Sequence, residues 1–326
     1  MSGATTAYVS GAAAQIGAFV RNRKAAGALC ASNEANLRRF DSWCASAYPG
    51  AKALTQGMVD GWCARRATES ANSCRTRCAV IATLVLFLRS RGETDVNPPE
   101  LPRRTGSSYV PHAFTDDELA AFFAACDSWE PSRRGSEALW LRTKLTPAVV
   151  FRLLWSSGIR TCEARLLTRG RADLDAGVLD IAAGKGGGQR VVALHPSMLK
   201  LMRDYDEAME GAFPGRSYFF PNGTRDCISR NLLNGWFQAI WGGVSDARAT
   251  PYMLRHAFCV ECINRMVERG TEALDGLEWV SKAMGHSSID VTIRGYYHIV
   301  PSLARLLQER SDPGFDATVP GVSCDD

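Results

Sequence analysis

The stretch NPPELPRRTGSSYVPH, residues 97–112, constrains this chain more than any other. Prolines at 98, 99, 102 and 111 remove backbone donors, and the Thr-Gly-Ser-Ser run favours turns, so no regular element fits there. It reads as part of a linker, residues 95–112, dividing the 326-residue chain into two domains, the number its length also favours. The expected boundaries are 1–94 for the first domain, 113–310 for the second and 311–326 for an acidic, Gly- and Pro-containing tail without order.

The first domain reads as helical. VSGAAAQIGAFVRNRKAAG sets Ala13, Ile16, Phe19 and Val20 on one stripe, and ANLRRFDSWCASAY repeats the spacing with Leu37, Phe40 and Trp43. TQGMVDGWCARR predicts a shorter helix with Thr55 as N-cap, and ESANSCRTRCAVIATLVLFLRSRG a long one. Four such helices make a small bundle.

Charge separates the two halves. Residues 1–112 hold 14 Lys+Arg against 7 Asp+Glu, a net of +7; the remainder holds 38−14=24 against 34−7=27, a net of −3. Arg38, Arg39, Arg75 and Arg77 on the helices, with Arg103 and Arg104 in the linker, are the candidate phosphate contacts. A solvated basic face is the competing reading of the same residues.

Other classes are disfavoured. No run reaches the roughly 18 apolar residues of a membrane span, and the N-terminus lacks a basic start followed by an apolar stretch, so a cytosolic protein is expected. Eleven cysteines, an odd number scattered through apolar patterns, read as free buried thiols. The Cys259–Cys262 and Cys74–Cys78 pairs lack a second pair at zinc-site spacing; no metal and no cofactor are expected.

The second domain opens on FTDDELAAFFAACD, with Thr115 and Glu118 at capping-box spacing. Four later segments then suit one chemistry. In LLWSSGIRTCEARLLTRG a helix breaks at Ser156-Ser157-Gly158 and a new one begins; Arg160 at its start can face an anion while Glu163, one turn on, fixes its rotamer. Taken alone, such a pair is more often a surface ion pair. VLDIAAGKGGGQRVVAL reads as a β-hairpin with Lys185 at its glycine-rich tip, and it lacks the spacing of a nucleotide-binding loop. In ATPYMLRHAFCVECINRM, Thr250-Pro251 opens a helix that brings Arg255 and His256 within its first turns. Finally, GHSSIDVTIRGYYHI carries His286 and the adjacent Tyr296 and Tyr297.

These four segments, in this order and roughly this spacing, resemble the tyrosine recombinases, the family of phage integrases and Xer-type resolvases. SGIRTCEARLL is similar to its first arginine box, GKGGGQRVVAL to its lysine hairpin, TPYMLRHAF to its second box and MGHSSIDVT to its G-H box. The resemblance implies a mainly α fold: a SAM-like four-helix core-binding domain, then a mixed α+β catalytic domain with a small antiparallel hairpin sheet. It implies a site-specific recombinase that joins DNA through a 3′-phosphotyrosyl intermediate. Arg160 and Arg255 would clamp the scissile phosphate, His286 would donate to it, Lys185 would protonate the leaving 5′-oxygen, and Glu163 would orient the first box. The implied partners are double-stranded DNA, further copies of the chain as a tetramer on paired sites, and an accessory DNA-bending protein, in the cytoplasm at the nucleoid.

The sequence departs from the family pattern twice. Tyr252 stands where the second box usually has histidine, and a phenol is a poor base at neutral pH. The family tyrosine commonly lies nine residues after the G-H histidine, a position that is Gly295 here. Tyr296-Tyr297-His298 has the family's Tyr-x-His form, which assigns Tyr296 as nucleophile with Tyr297 as the alternative. These departures also motivate a second reading, a catalytically impaired DNA-binding protein of the same fold with an architectural or regulatory role.

Overall fold

The computed structural model describes residues 8–105, 111–131, 135–182, 188–271 and 273–285. The chain separates into two compact units, Met1–Ser108 and Tyr109–Asp326.

The first unit is built from α1 (Ala13–Ala25), α2 (Ala31–Ala47), α3 (Gln56–Cys63) and α4 (Ala71–Ser90). The stripe residues Ile16, Phe19, Val20, Leu37 and Phe40 are buried, and Trp43 packs half-buried beside Phe40 and Trp62. Thr55 caps α3 by accepting from the Met58 amide, and Ser70 caps α4 through the Ser73 amide. α4 has the length and composition of a membrane-crossing helix. Its position explains that: it packs on α1, α2 and α3, so Ile81, Leu84, Val85 and Leu88 all face protein.

One expected surface residue is corrected. Arg77, placed by its charge on the polar face, is only 9% exposed. Its guanidinium bonds the Glu69 carboxylate at 2.5 and 2.8 Å and the carbonyls of Trp62 and Ala64. The hydrogen bond from Arg77 holds the Glu69 carboxyl down at about 2. An arginine so engaged ties the α3–α4 connection to α4 and is not presented to a DNA backbone. Arg38 and Arg39 are exposed on α2, Arg38 paired with Glu34 at 2.9 Å.

The proline-rich segment has no regular structure through residue 105, as its composition requires, yet it lies along the first unit. Arg89 donates to Val96 O at 3.1 Å, Gln56 Oε1 accepts from the Asn97 amide at 2.8 Å, and Arg75 donates to Pro102 O at 2.8 Å. Asn72 bonds both backbone groups of Thr105. Side chains of the bundle thus satisfy backbone groups that no strand or helix partner could. Arg103 and Arg104 remain exposed at the end of this strap.

The second unit is helical around a small sheet. α5 (Asp116–Asp127) starts with the expected capping box, Thr115 accepting from the Glu118 amide at 3.1 Å and Glu118 accepting back at 3.0 Å. α6 (Glu137–Ser157) is the central helix, packed by α5, by α8 (Pro196–Ala212), by α9 (Arg230–Trp241) and by α10 (Pro251–Glu268). Phe122, Phe151, Phe237 and Trp241 form the aromatic heart of that core. Short α7 (Thr161–Arg165) follows α6, and α11 (Ala273–Met284) packs on α10.

The hairpin read from the sequence is β2 (Val178–Ile181) paired antiparallel with β3 (Arg190–Ala193), in the register Ile181 opposite Arg190 and Val178 opposite Ala193. A third strand, β1 (Ala172–Asp173), adds to β2 in the order β1-β2-β3. The fold class is the expected one, mainly helical with a small antiparallel sheet.

Gly158 makes the sharp passage from α6 to α7. Its φ of 62° is left-handed, and a Cβ there would stand 2.3 Å from Cδ1 of Phe258 on α10. Gly158→Ala therefore combines backbone strain with a clash against a half-buried ring packed on the α10–α11 cluster. A loss of about 2–4 kcal/mol in urea unfolding is expected; a variant within about 0.5 kcal/mol of the native protein would contradict this account of the turn.

Candidate active site

The site is assembled by three connections that bring distant segments to the end of α11. Only Ile159 separates Gly158 from Arg160, the N-cap of α7, and Glu163 is the third residue of that helix, so the two share one turn. Glu163 reaches back to accept from the Arg160 amide at 2.8 Å through Oε2 and from Arg160 Nη1 at 2.8 Å through Oε1. The rotamer-fixing role expected for Glu163 has this geometry.

Arg255 enters from the second turn of α10. It is fully buried, donating from Nη1 to the Gly158 carbonyl and from Nη2 to Met284 O at 2.8 Å. Its neighbour Arg160 donates from Nη2 to Gly285 O at 2.9 Å. Two arginines that stand 95 positions apart in the sequence thus meet on consecutive carbonyls at the C-terminus of α11, where the helix dipole is negative. Gly285, with φ 66°, ends that helix and is followed directly by His286.

A third arginine was not read from the sequence. Arg190, the first residue of β3, binds the same Glu163 carboxylate at 2.7 and 3.1 Å and also donates from Nε to Ala283 O at 3.1 Å. Burial by itself would raise the Glu163 carboxyl. Hydrogen bonds from Arg190 and then from the backbone and side chain of Arg160 outweigh burial and hold it at about 2. Glu163 is therefore an anion at any pH the protein would meet in use.

Tyr252 lies on the first turn of α10 and is 41% exposed, its ring edge-on to His256 at 5.1 Å. It presents a phenol at the surface of the box rather than packing beneath it. His256 is pushed down to about 4 by burial and by the charge of Arg255, so it is neutral at pH 7. Cys259 is buried on the same helix, and burial also pushes Cys262 up to about 11, leaving both as protonated thiols. Among the described residues no group of three His, Cys, Asp or Glu side chains is arranged to hold a metal.

Lys185, His286, Tyr296 and Tyr297 lie outside the described residues. The described part nevertheless brings together Arg160, Glu163 and Arg255 from the expected set.

A family model described as the phage integrase family matches residues 113–302, more than half of the chain. The chain belongs to the phage integrase family. Among its relatives, the TnP I resolvase of Bacillus thuringiensis is 30% identical over 143 residues, covering 43% of this chain and 46% of that protein. The tyrosine recombinase XerD of Neisseria meningitidis serogroup A is 27% identical over 221 residues, covering 66% and 68%. Among solved structures, the Tn1549 transposon integrase in complex with circular intermediate DNA has a TM-score of 0.60 at 16% identity, covering 91% of this chain and 99% of that one. The XerH recombinase bound to its difH substrate has a TM-score of 0.54 at 19% identity, covering 85% and 77%. At these identities the structural likeness concerns the fold alone, and the family assignment rests on the match over residues 113–302.

Proposed function

We propose that this integrase-family protein is a site-specific DNA recombinase that cleaves and rejoins strands through a 3′-phosphotyrosyl intermediate. The observation that carries the reading is the meeting of Arg160 and Arg255 on the carbonyls of Gly285 and Met284, immediately before His286.

The chemistry follows from what a phosphodiester demands. A phenol oxygen, Tyr296, attacks phosphorus; the bond from phosphorus to the 5′-oxygen breaks; the phosphodiester energy is kept in the new Tyr–O–P bond, so no nucleotide triphosphate is needed. Negative charge grows on the non-bridging oxygens in the transition state, and Arg160, Arg255 and His286 supply donors there. Lys185 gives a proton to the departing 5′-oxygen. Attack by a 5′-hydroxyl from a partner duplex reverses the step and leaves the strands exchanged.

Residues 1–94 would serve as the core-binding domain and 113–310 as the catalytic domain, with 95–112 connecting them. Arg38, Arg39, Arg75, Arg103 and Arg104 would track phosphates of double-stranded DNA. A tetramer on paired sites, assisted by a DNA-bending protein, would supply the partner duplexes.

Tyr252 bears on rate. A phenol can donate to a phosphate oxygen but accepts a proton poorly at pH 7, so the nucleophile is deprotonated less readily than with histidine at that place. Tyr252→His is expected to speed adduct formation on a nicked duplex by about tenfold, with unchanged or slower cleavage contradicting the assignment. The second reading, a DNA-binding protein without chemistry, rests on the same tyrosine and on the one-residue shift at Gly295; a protein–DNA adduct stable to denaturant on a nicked site excludes it, and its absence at full DNA occupancy favours it.

A further inference from the structure

The last three carbonyls of the α11 terminus each receive a guanidinium: Ala283 from Arg190 at 3.1 Å, Met284 from Arg255 at 2.8 Å and Gly285 from Arg160 at 2.9 Å. Two of these arginines are expected site residues and the third, Arg190, is not. Arg190 sits at the head of β3, 27 residues beyond Glu163, on the strand that leads out of the lysine hairpin.

The Glu163 carboxylate shows what Arg190 contributes. A carboxylate has about four acceptor sites, and Glu163 fills four: Oε1 takes Arg160 Nη1 at 2.8 Å and Arg190 Nη1 at 3.1 Å, while Oε2 takes the Arg160 amide at 2.8 Å and Arg190 Nη2 at 2.7 Å. Both partners of the Arg190–Glu163 pair are 11% exposed, so solvent competes weakly for it. The planar fork of Arg190 holds the carboxylate in the orientation that also holds Arg160, and an ammonium could not match both oxygens at once. The backbone is fitted to this side chain as well: a Cβ on Gly285 would stand 2.9 Å from Arg190 Nη1.

We propose that Arg190 is a positioning residue for strand cleavage: it locks Glu163, and through it Arg160, while fixing the end of α11 that delivers the chain into residue 286. The inference rests on the phosphate-clamp reading of Arg160 given above. Arg190 itself acts without touching the phosphate.

The test compares the native protein with Arg190→Ala, Arg190→Lys, Glu163→Gln and the Arg190→Ala, Glu163→Gln double variant. Adduct formation on a nicked duplex should slow by about tenfold to a hundredfold in Arg190→Ala, the cost of a misplaced group near the chemistry, with DNA affinity within about twofold of native. Arg190→Lys, which keeps charge and stem and guards against misfolding of the alanine variant, should recover only part of the rate. The double variant should be within about threefold of Glu163→Gln alone, because Arg190 acts largely through that carboxylate.

A second readout does not need cleavage. Carboxyl ¹³C titration, assigned by Glu163→Gln, should show Glu163 ionised down to about pH 3 in the native protein and its midpoint raised by two units or more, approximately, in Arg190→Ala. The sign follows from the depressed folded value of about 2. Its stabilising contribution is complete above the unfolded value near 4.3, is lost as pH falls from there through 2, and shrinks when Arg190 is removed. Native cleavage rate in Arg190→Ala, or native titration of Glu163 in it, overturns the proposal. If the native protein forms no adduct, the recombinase reading falls, and the titration alone decides whether Arg190 sets Glu163.

Discussion

Arg255→Ala is expected to slow covalent adduct formation by about a hundredfold to a thousandfold and to cost about 3 kcal/mol of folding stability. Both effects come from one side chain. Its guanidinium is fully buried and spans from the Gly158 carbonyl, at the turn into the first box, to Met284 O at the end of α11. Alanine leaves two carbonyls without that donor and a void where a fully buried arginine stood. It also removes one of the two cations assigned to the transferring phosphate. Arg255→Lys keeps the charge but not the planar reach across both carbonyls, so it should restore part of the stability and little of the rate. Urea unfolding and adduct formation measured on the same preparations separate the two effects. Adduct formation within tenfold of native, roughly, in a folded Arg255→Ala would remove Arg255 from the phosphate clamp.

Tyr296→Phe is expected to abolish the adduct, and Tyr297→Phe to leave it within about threefold of native. The loss is complete in the first case because the assigned ester oxygen is gone, whereas Tyr297 takes no part in the bond on this assignment. The assignment of Tyr296 rests on sequence: the family position nine residues after His286 is occupied by Gly295, which can end a helix and turn the following side chain into a site. Tyr296-Tyr297-His298 then continues in the family's form. A retained adduct in Tyr296→Phe, with loss in Tyr297→Phe, would move the nucleophile by one residue.

Much of the fold was legible because it rests on local signals. The apolar stripes of α1 and α2, the Thr115–Glu118 capping box and the glycine-rich hairpin all declare themselves within a few residues. The site was legible only as far as single boxes carry it. Arg160 and Glu163 lie three apart and could be paired on paper, but the Arg190–Glu163 bond spans 27 positions and the Arg160–Gly285 bond 125. An arginine beside a glycine loop looks solvated until its distant carboxylate is found. Arg77 misled for the same reason: its charge suggests a surface, while Glu69 and two carbonyls at the end of α3 make burial favourable. The strap from residue 95 to 105 was also unreadable, because side chains of α3 and α4 fix it and its composition says only that it is irregular.

The mechanism turns on one covalent bond, and trypsin provides a direct view of it. Cleavage after Arg294 and Arg305 releases residues 295–305, a peptide holding both Tyr296 and Tyr297. The native protein is incubated with randomly nicked DNA fragments, denatured, digested with nuclease and trypsin, and that peptide is sequenced by mass spectrometry. A nucleotide remnant on Tyr296, absent from an Arg160→Ala control, is the predicted result; a remnant on Tyr297, or an unmodified peptide from protein saturated with DNA, would contradict the account.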